Sequence, residues 1–386
     1  MSNRSNRILF LDVLRGVAVL MVLCCHTLPI NKAVNGYHWW FILKLRLLGW
    51  AGVDLFFVLS GFLVGGLLSA EYVKYNQVSV KRFLLRRAFK IYPPFYFLLL
   101  CTLGWYLYFG HAIEWRPWVG EISFLQNYVG RVWKHTWSLA VEEHFYLTLA
   151  LLYACGSRMR LLSRPLIPVC FVTSVLMAVL LYRATYASVT PFNRESHMFA
   201  THMRLDSLLF GSLLAYIWNN FEAATKGFVH RWRWSLLIVA TACLAPLGFF
   251  SYEKWYMHSF GFTVNYLGFG IVLLLGVSTA WQLDSRFVTF ACRGIAAIGC
   301  YSYSIYLWHM AVYFGVDWLV PATISFEWRF FVHAAVYICG SVIVGVIAAR
   351  AVEIPALQLR DRLFPGLTTS ALRRASICPQ AAAGLQ

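Results

Sequence analysis

The chain has 386 residues, 60% of them hydrophobic and 13% charged, with a formal net charge of +17. That balance is too apolar for an ordinary soluble domain. Most of the ten cysteines lie inside apolar stretches and no CxxC-type spacing occurs, so neither a disulfide framework nor a metal site is expected.

Apolar segments long enough to cross a bilayer follow one another at 8–28, 47–69, 92–110, 137–155, 165–183, 204–220, 234–251, 260–281, 297–317 and 328–350. They predict an all-α, polytopic integral membrane helix bundle of about ten transmembrane helices. With the N-terminus inside, both termini are cytoplasmic, and the inner loops then hold most of the Lys and Arg, as the positive-inside rule requires. Basic charge on this chain therefore sets topology and attracts anionic lipid or a polyanionic cofactor, and nucleic-acid binding is not expected. Asp12 and Arg15 interrupt the first apolar run and no small-residue cleavage pattern follows, so the run reads as a retained helix rather than a signal peptide. Residues 1–365 are predicted to form the membrane domain. The stretch 366–386 is short of large apolar residues and is predicted to be a disordered cytoplasmic tail.

The first span reads LDVLRGVAVLMVLCCH over 11–26, an oily run holding Asp12, Arg15 and His26. Charged groups inside a span are costly and therefore rare. Eleven helical steps are about three turns, so Arg15 and His26 share one stripe about 16 Å apart along the axis. The second span contributes Asp54 and Ser60 within GVDLFFVLSGFL. The basic stretch VKRFLLRRAFKIYPPF at 80–95 brings Lys81, Arg82, Arg86, Arg87 and Lys90 before a Pro-Pro expected to mark where the next helix starts. The fourth span offers Glu142 and Glu143 in TWSLAVEEHFYL, the sixth Asp206 in MRLDSLLF, and the ninth His309 in YSYSIYLWH. In the alternating topology, His26, Asp54, Glu142, Glu143, Asp206 and His309 all fall towards the outer side, while Arg15 and the basic stretch fall towards the cytoplasm. Solvated helix ends explain any one of these acids singly, and a snorkelling anchor explains a generic basic loop. Arg15, buried behind that loop, has no anchoring role. Together the cations suit a phosphorylated ligand entering from the cytoplasm, because Arg forks grip phosphate bidentately.

These blocks resemble the acyltransferase-3 family of membrane O-acyltransferases, which acylate bacterial surface polysaccharide, lipopolysaccharide and related glycans. The resemblance rests on LDVLRGVAVLMVLCCH, GVDLFFVLSGFL at 52–63, RRAFKIYP at 86–93, WSLAVEEHFY at 137–146, GCYSYSIYLWH at 299–309 and the closing Glu353-Ile354-Pro355, in that order along residues 8–355. It implies an acyl-coenzyme A donor, usually acetyl-coenzyme A, with no permanently bound cofactor or metal, and a carbohydrate hydroxyl as acceptor. It further implies that Arg15, Arg86, Arg87 and Lys90 hold the coenzyme A phosphates. His26 would be the general base, with Glu142 or Glu143 orienting its ring, Glu143 the more so, and Asp12, Asp54, Ser60, Asp206 and His309 in support. An acyl-enzyme on His26 or Ser60 is a less favoured variant. Lys90 stands where the family more often has Arg, keeping the charge but losing the planar fork. Some members carry an extra hydrolase-like domain outside the membrane, which a sequence of this length is expected to lack. The bacterial cytoplasmic membrane is the expected location. The competing reading is a transporter or flippase for a glycan or acyl intermediate, which would also place ionisable groups at mid-membrane.

Overall fold

A computed structural model describes residues 2–27, 37–279, 285–320 and 325–365. The tail at 366–386, expected to be disordered, lies outside the described residues. The described chain is helical, without strands among the described residues. In order it forms α1 (Ser2–Cys25), α2 (Tyr37–Gly49), α3 (Gly52–Tyr75), α4 (Val80–Phe109), α5 (Trp115–Ile122), α6 (Trp137–Arg158), α7 (Leu166–Val189) and α8 (Thr201–Asn220). There follow α9 (Glu222–Arg231), α10 (Arg233–Leu244), α11 (Phe262–Ser278), α12 (Arg286–Cys300), α13 (Ser302–Leu319), α14 (Phe326–Ala348) and α15 (Ile354–Leu363). Four stretches among the described residues are long and apolar enough to cross a membrane: Ile42–Tyr75, Leu166–Val189, Met257–Ser278 and Glu327–Leu363. On α7, Phe171, Met177, Leu181 and Tyr182 are exposed. Side chains of that kind on the outside of a helix suit hydrocarbon rather than water.

The chain forms two compact units. The first comprises Met1–Gly52, Leu85–Ile113 and Gln282–Gln386, the second Val53–Leu84 and Glu114–Trp281. In the first unit α1 lies along α12, and α13 along α14. Small residues make this close approach possible: a Cβ on Gly16 would strike the Ile295 backbone, and one on Gly299 the Asp12 carbonyl. In the second unit α3 and α8 cross through Gly61, Gly65 and Gly211, with Gly65 facing the side chain of Ser212. There α6, α7 and α11 pack around α8, which is buried along most of its length.

One expectation about the backbone fails. The basic stretch is not a loop ending at Pro93-Pro94, because α4 runs unbroken from Val80 to Phe109 with both prolines inside it. Proline inside a membrane helix is tolerated where neighbouring side chains satisfy the freed backbone groups. The carbonyls that lose a donor are those of Phe89 and Lys90, and the Tyr303 hydroxyl donates to the next one, Ile91, at 2.9 Å. At the start of the helix, Glu71 accepts the Ser79 N–H and pairs with Arg82, both at 2.8 Å. The consequence for function is register: Arg86 and Lys90 lie one turn apart on a continuous helix.

Candidate active site

His26 follows the last residue of α1 and is half-buried. Its Nδ1 lies 2.9 Å from the Val22 carbonyl oxygen. A carbonyl only accepts, so Nδ1 carries the hydrogen and donates, leaving Nε2 as the basic nitrogen. The contact is local to the helix: position 26 is one turn on from position 22, and the free carbonyl at the helix end is the natural acceptor. His309 of α13, fully buried, presents its ring edge-on to His26 with centroids 5.1 Å apart. Its own Nδ1 donates to the Tyr306 carbonyl, so it too keeps Nε2 as the acceptor nitrogen. Two imidazoles in the same tautomer thus meet at one end of the first unit.

The cations expected to clamp phosphate are gathered with carboxylates. Arg15 pairs with Asp12 at 3.0 Å, three residues back on α1. The charge of Lys90 acts on Asp12 and on Glu353, and Arg15 also acts on Glu353. Glu353, buried in a π-helical turn at the end of α14, accepts a 2.6 Å hydrogen bond from Ser304. Arg86 bonds Asp361 of α15 at 3.0 Å and donates to the Phe364 carbonyl. Asp361 is shared with Arg360 at 2.9 Å. Arg15 and Arg86 therefore rest on carboxylates that hold their side chains in place.

The remaining predicted residues lie in the second unit. Asp54 pairs with Arg204, and Asp206 with Arg183 at 3.0 Å, all four being at most 2% exposed. Arg183 also donates to the carbonyls of Ser259 at 2.8 Å and Met203 at 2.9 Å, and to the Thr263 hydroxyl. Arg204 sits 3.9 Å from the centre of the Phe262 ring, with Trp137 at 5.6 Å. Asp54 and Asp206, expected to support the chemistry, are thus neutralised by arginines and tie α3, α7, α8 and α11 together. Ser60 shares a hydrogen bond with the Tyr146 hydroxyl at 3.0 Å. A phenol is a poor base for activating a serine nucleophile. Glu143 is buried in α6 and Glu142 half-buried beside it.

Sequence reading missed Arg183, Arg204 and Glu353 as partners, because each pairing joins two different helices and no local pattern signals it. It also missed Glu121, fully buried at the end of α5, whose Oε1 accepts from Val132 N–H, Trp133 N–H and the Thr136 hydroxyl at 3.1, 3.0 and 2.8 Å. Burial pushes its carboxyl up to about 7, against the pull of those donors and of Arg131. Gln126 and Asn127 complete the anchor by donating to the carbonyls of Thr136 and Trp137, which fixes the start of α6.

The chain belongs to the acyltransferase-3 family, whose profile, described as an acyltransferase domain, matches residues 8–350. Over 286 residues it is 28% identical to the O-acetyltransferase OatA of Staphylococcus aureus (strain NCTC 8325 / PS 47), covering 68% of this chain and 46% of that protein. Over 370 residues it is 24% identical to the peptidoglycan O-acetyltransferase OatA of Listeria monocytogenes serovar 1/2a, covering 89% of this chain and 55% of that protein. The chain spans about half the length of these curated relatives. No solved structure matches it.

Proposed function

We propose that the chain is a membrane O-acetyltransferase that moves an acetyl group from acetyl-coenzyme A to a hydroxyl of a carbohydrate acceptor. The observation that carries this reading is the tautomer of His26: with Nδ1–H committed to the Val22 carbonyl, Nε2 is the group that takes a proton from a hydroxyl. Family membership supports the reaction class. The name of the Listeria relative, a peptidoglycan O-acetyltransferase, favours a cell-wall glycan as acceptor, ahead of a surface polysaccharide, lipopolysaccharide or lipo-oligosaccharide. The protein works in the bacterial cytoplasmic membrane as a bundle of about ten spans with both termini in the cytoplasm.

On this reading the coenzyme A phosphates bind Arg15, Arg86, Arg87 and Lys90, taking over from Asp12 and Asp361 as counter-ions. Paired with carboxylates until then, Arg15 and Arg86 are ordered in advance, which lowers the entropic cost of gripping the donor. His26 Nε2 removes the acceptor proton as the hydroxyl oxygen attacks the thioester carbon, the C–S bond then breaks, and the departing thiolate receives the proton from His26.

The test is release of coenzyme A by the purified protein with a cell-wall glycan fraction. His26→Ala is expected to bind the donor normally and to lose turnover at least about 10²-fold. Wild type that neither binds nor consumes the donor with any glycan would refute the proposal in favour of transport.

A further inference from the structure

A cation that the reaction scheme above leaves unused stands beside His26. The last turn of α2 reaches it because that turn lies directly on the end of α1. A Cβ on Gly49 would fall 2.7 Å from the Cys25 Cβ, and one on Gly52 would fall 3.0 Å from the Met21 Cβ. Moving back along the chain from Gly52 to Gly49 therefore moves forward along α1, from Met21 to Cys25. Arg46 precedes Gly49 by three residues and shares its helix face, so it comes level with the end of α1 where His26 sits. Its charge acts on His26, on Cys25 and on Tyr313 of α13. None of these three is a carboxylate.

The contrast with four other arginines is informative. Arg15, Arg86, Arg183 and Arg204 each have an aspartate. Among the described residues no carboxylate pairs with Arg46, and its Nε is buried without an acceptor. The sequence from Thr27 to Phe41, between α1 and the body of α2, contains no Asp or Glu. Desolvating a guanidinium without a counter-charge is costly, and such a cost persists where a negative charge arrives during function.

We propose that Arg46 is the oxyanion-binding group of the acyl transfer. The inference rests on the reading of the chain as an acetyltransferase with His26 as base. As the acceptor oxygen bonds to the thioester carbon, the carbonyl π pair moves onto its oxygen, and the Arg46 guanidinium holds that charge. The pair returns when the C–S bond breaks, and the thiolate leaves with the proton that His26 took from the acceptor. Arg46 thus acts on charge present in the transition state and absent from bound donor, so it contributes to kcat and not to donor affinity.

The full chain in lipid nanodiscs is assayed for acetyl transfer to a cell-wall glycan fraction, with acetyl-coenzyme A affinity measured separately by equilibrium binding. Arg46→Gln is expected to lower kcat by about 10²–10³-fold while the donor Kd stays within about twofold of wild type. Retained donor binding shows that the variant is folded. Arg46→Lys, which keeps the charge without the fork, is expected to recover part of the loss. An unchanged kcat in Arg46→Gln overturns the inference. So does a weakened Kd with kcat intact, which would make Arg46 a donor-binding residue. A wild-type protein that binds the donor but transfers nothing overturns the acetyltransferase reading itself, and the inference with it.

Discussion

Removing the Asp54 carboxylate is a sharp test of the buried ion pairs in the second unit. Asp54 and Arg204 are 1% and 2% exposed. Asp54→Asn keeps the side-chain shape but leaves Arg204 a buried cation held only by Asp206 and by aromatic faces, with Phe262 the nearest at 3.9 Å. Breaking a buried pair by removing one partner costs about 3–5 kcal/mol, and a desolvated cation–π contact returns about 2 kcal/mol. A net loss of about 1–3 kcal/mol is expected on these grounds. Arg204→Met in the same background removes the orphaned cation, so the double variant is expected to be more stable than Asp54→Asn alone. Denaturant unfolding in mixed micelles, followed by tryptophan fluorescence, gives the four corners of the cycle. A single variant within about 0.5 kcal/mol of wild type would refute the reasoning. So would a double variant as unstable as the sum of the singles.

Glu121 carries a pH dependence. Its folded carboxyl is pushed up to about 7 from an ordinary 4.5, so the folded state holds the proton longer than the unfolded chain does. Its contribution is therefore most favourable below pH 4.5 and is lost as pH rises through 7, by at most about 3 kcal/mol. Glu121→Gln cannot ionise, so its melting temperature is expected to fall less than that of wild type between pH 5 and pH 8.5, and equal slopes would contradict the burial argument. In the first unit, Gly299→Val places side-chain carbons against the Asp12 carbonyl and is expected to cost about 1–3 kcal/mol in thermal unfolding. Arg86→Ala is expected to raise the coenzyme A Kd about tenfold or more, from loss of charge-assisted hydrogen bonds to phosphate. That weakening should diminish as salt is raised in the binding buffer.

Much of this was legible in the sequence because it depends on local pattern. Apolar runs of membrane length foretold the long helices, and the Arg15, His26, Arg86 and Lys90 positions follow from short quoted blocks. Pairing across helices was not legible. Asp54 and Arg204 are separated by most of the second unit's chain, and no periodicity signals that one will neutralise the other. The Pro-Pro at 93–94 misled for a physical reason: proline is tolerated inside a membrane helix, so it does not by itself mark where a helix starts. Arg46 gave no signal of its own, since it is a single cation in a mostly apolar stretch outside the quoted blocks. Only the contact of Gly49 with α1 brings it to His26. Glu121 likewise carried no signal in the sequence, because its burial depends on three donors supplied by 132–136.

The central claim is that His26 serves as the base for acetyl transfer to a carbohydrate hydroxyl. Its most direct test is transfer of radiolabel from [14C]acetyl-coenzyme A into a cell-wall glycan fraction by the purified chain, comparing wild type with His26→Ala. The account predicts base-labile label in the glycan with wild type, and label at background with His26→Ala despite normal donor binding. Equal labelling by the two proteins would contradict the role of His26.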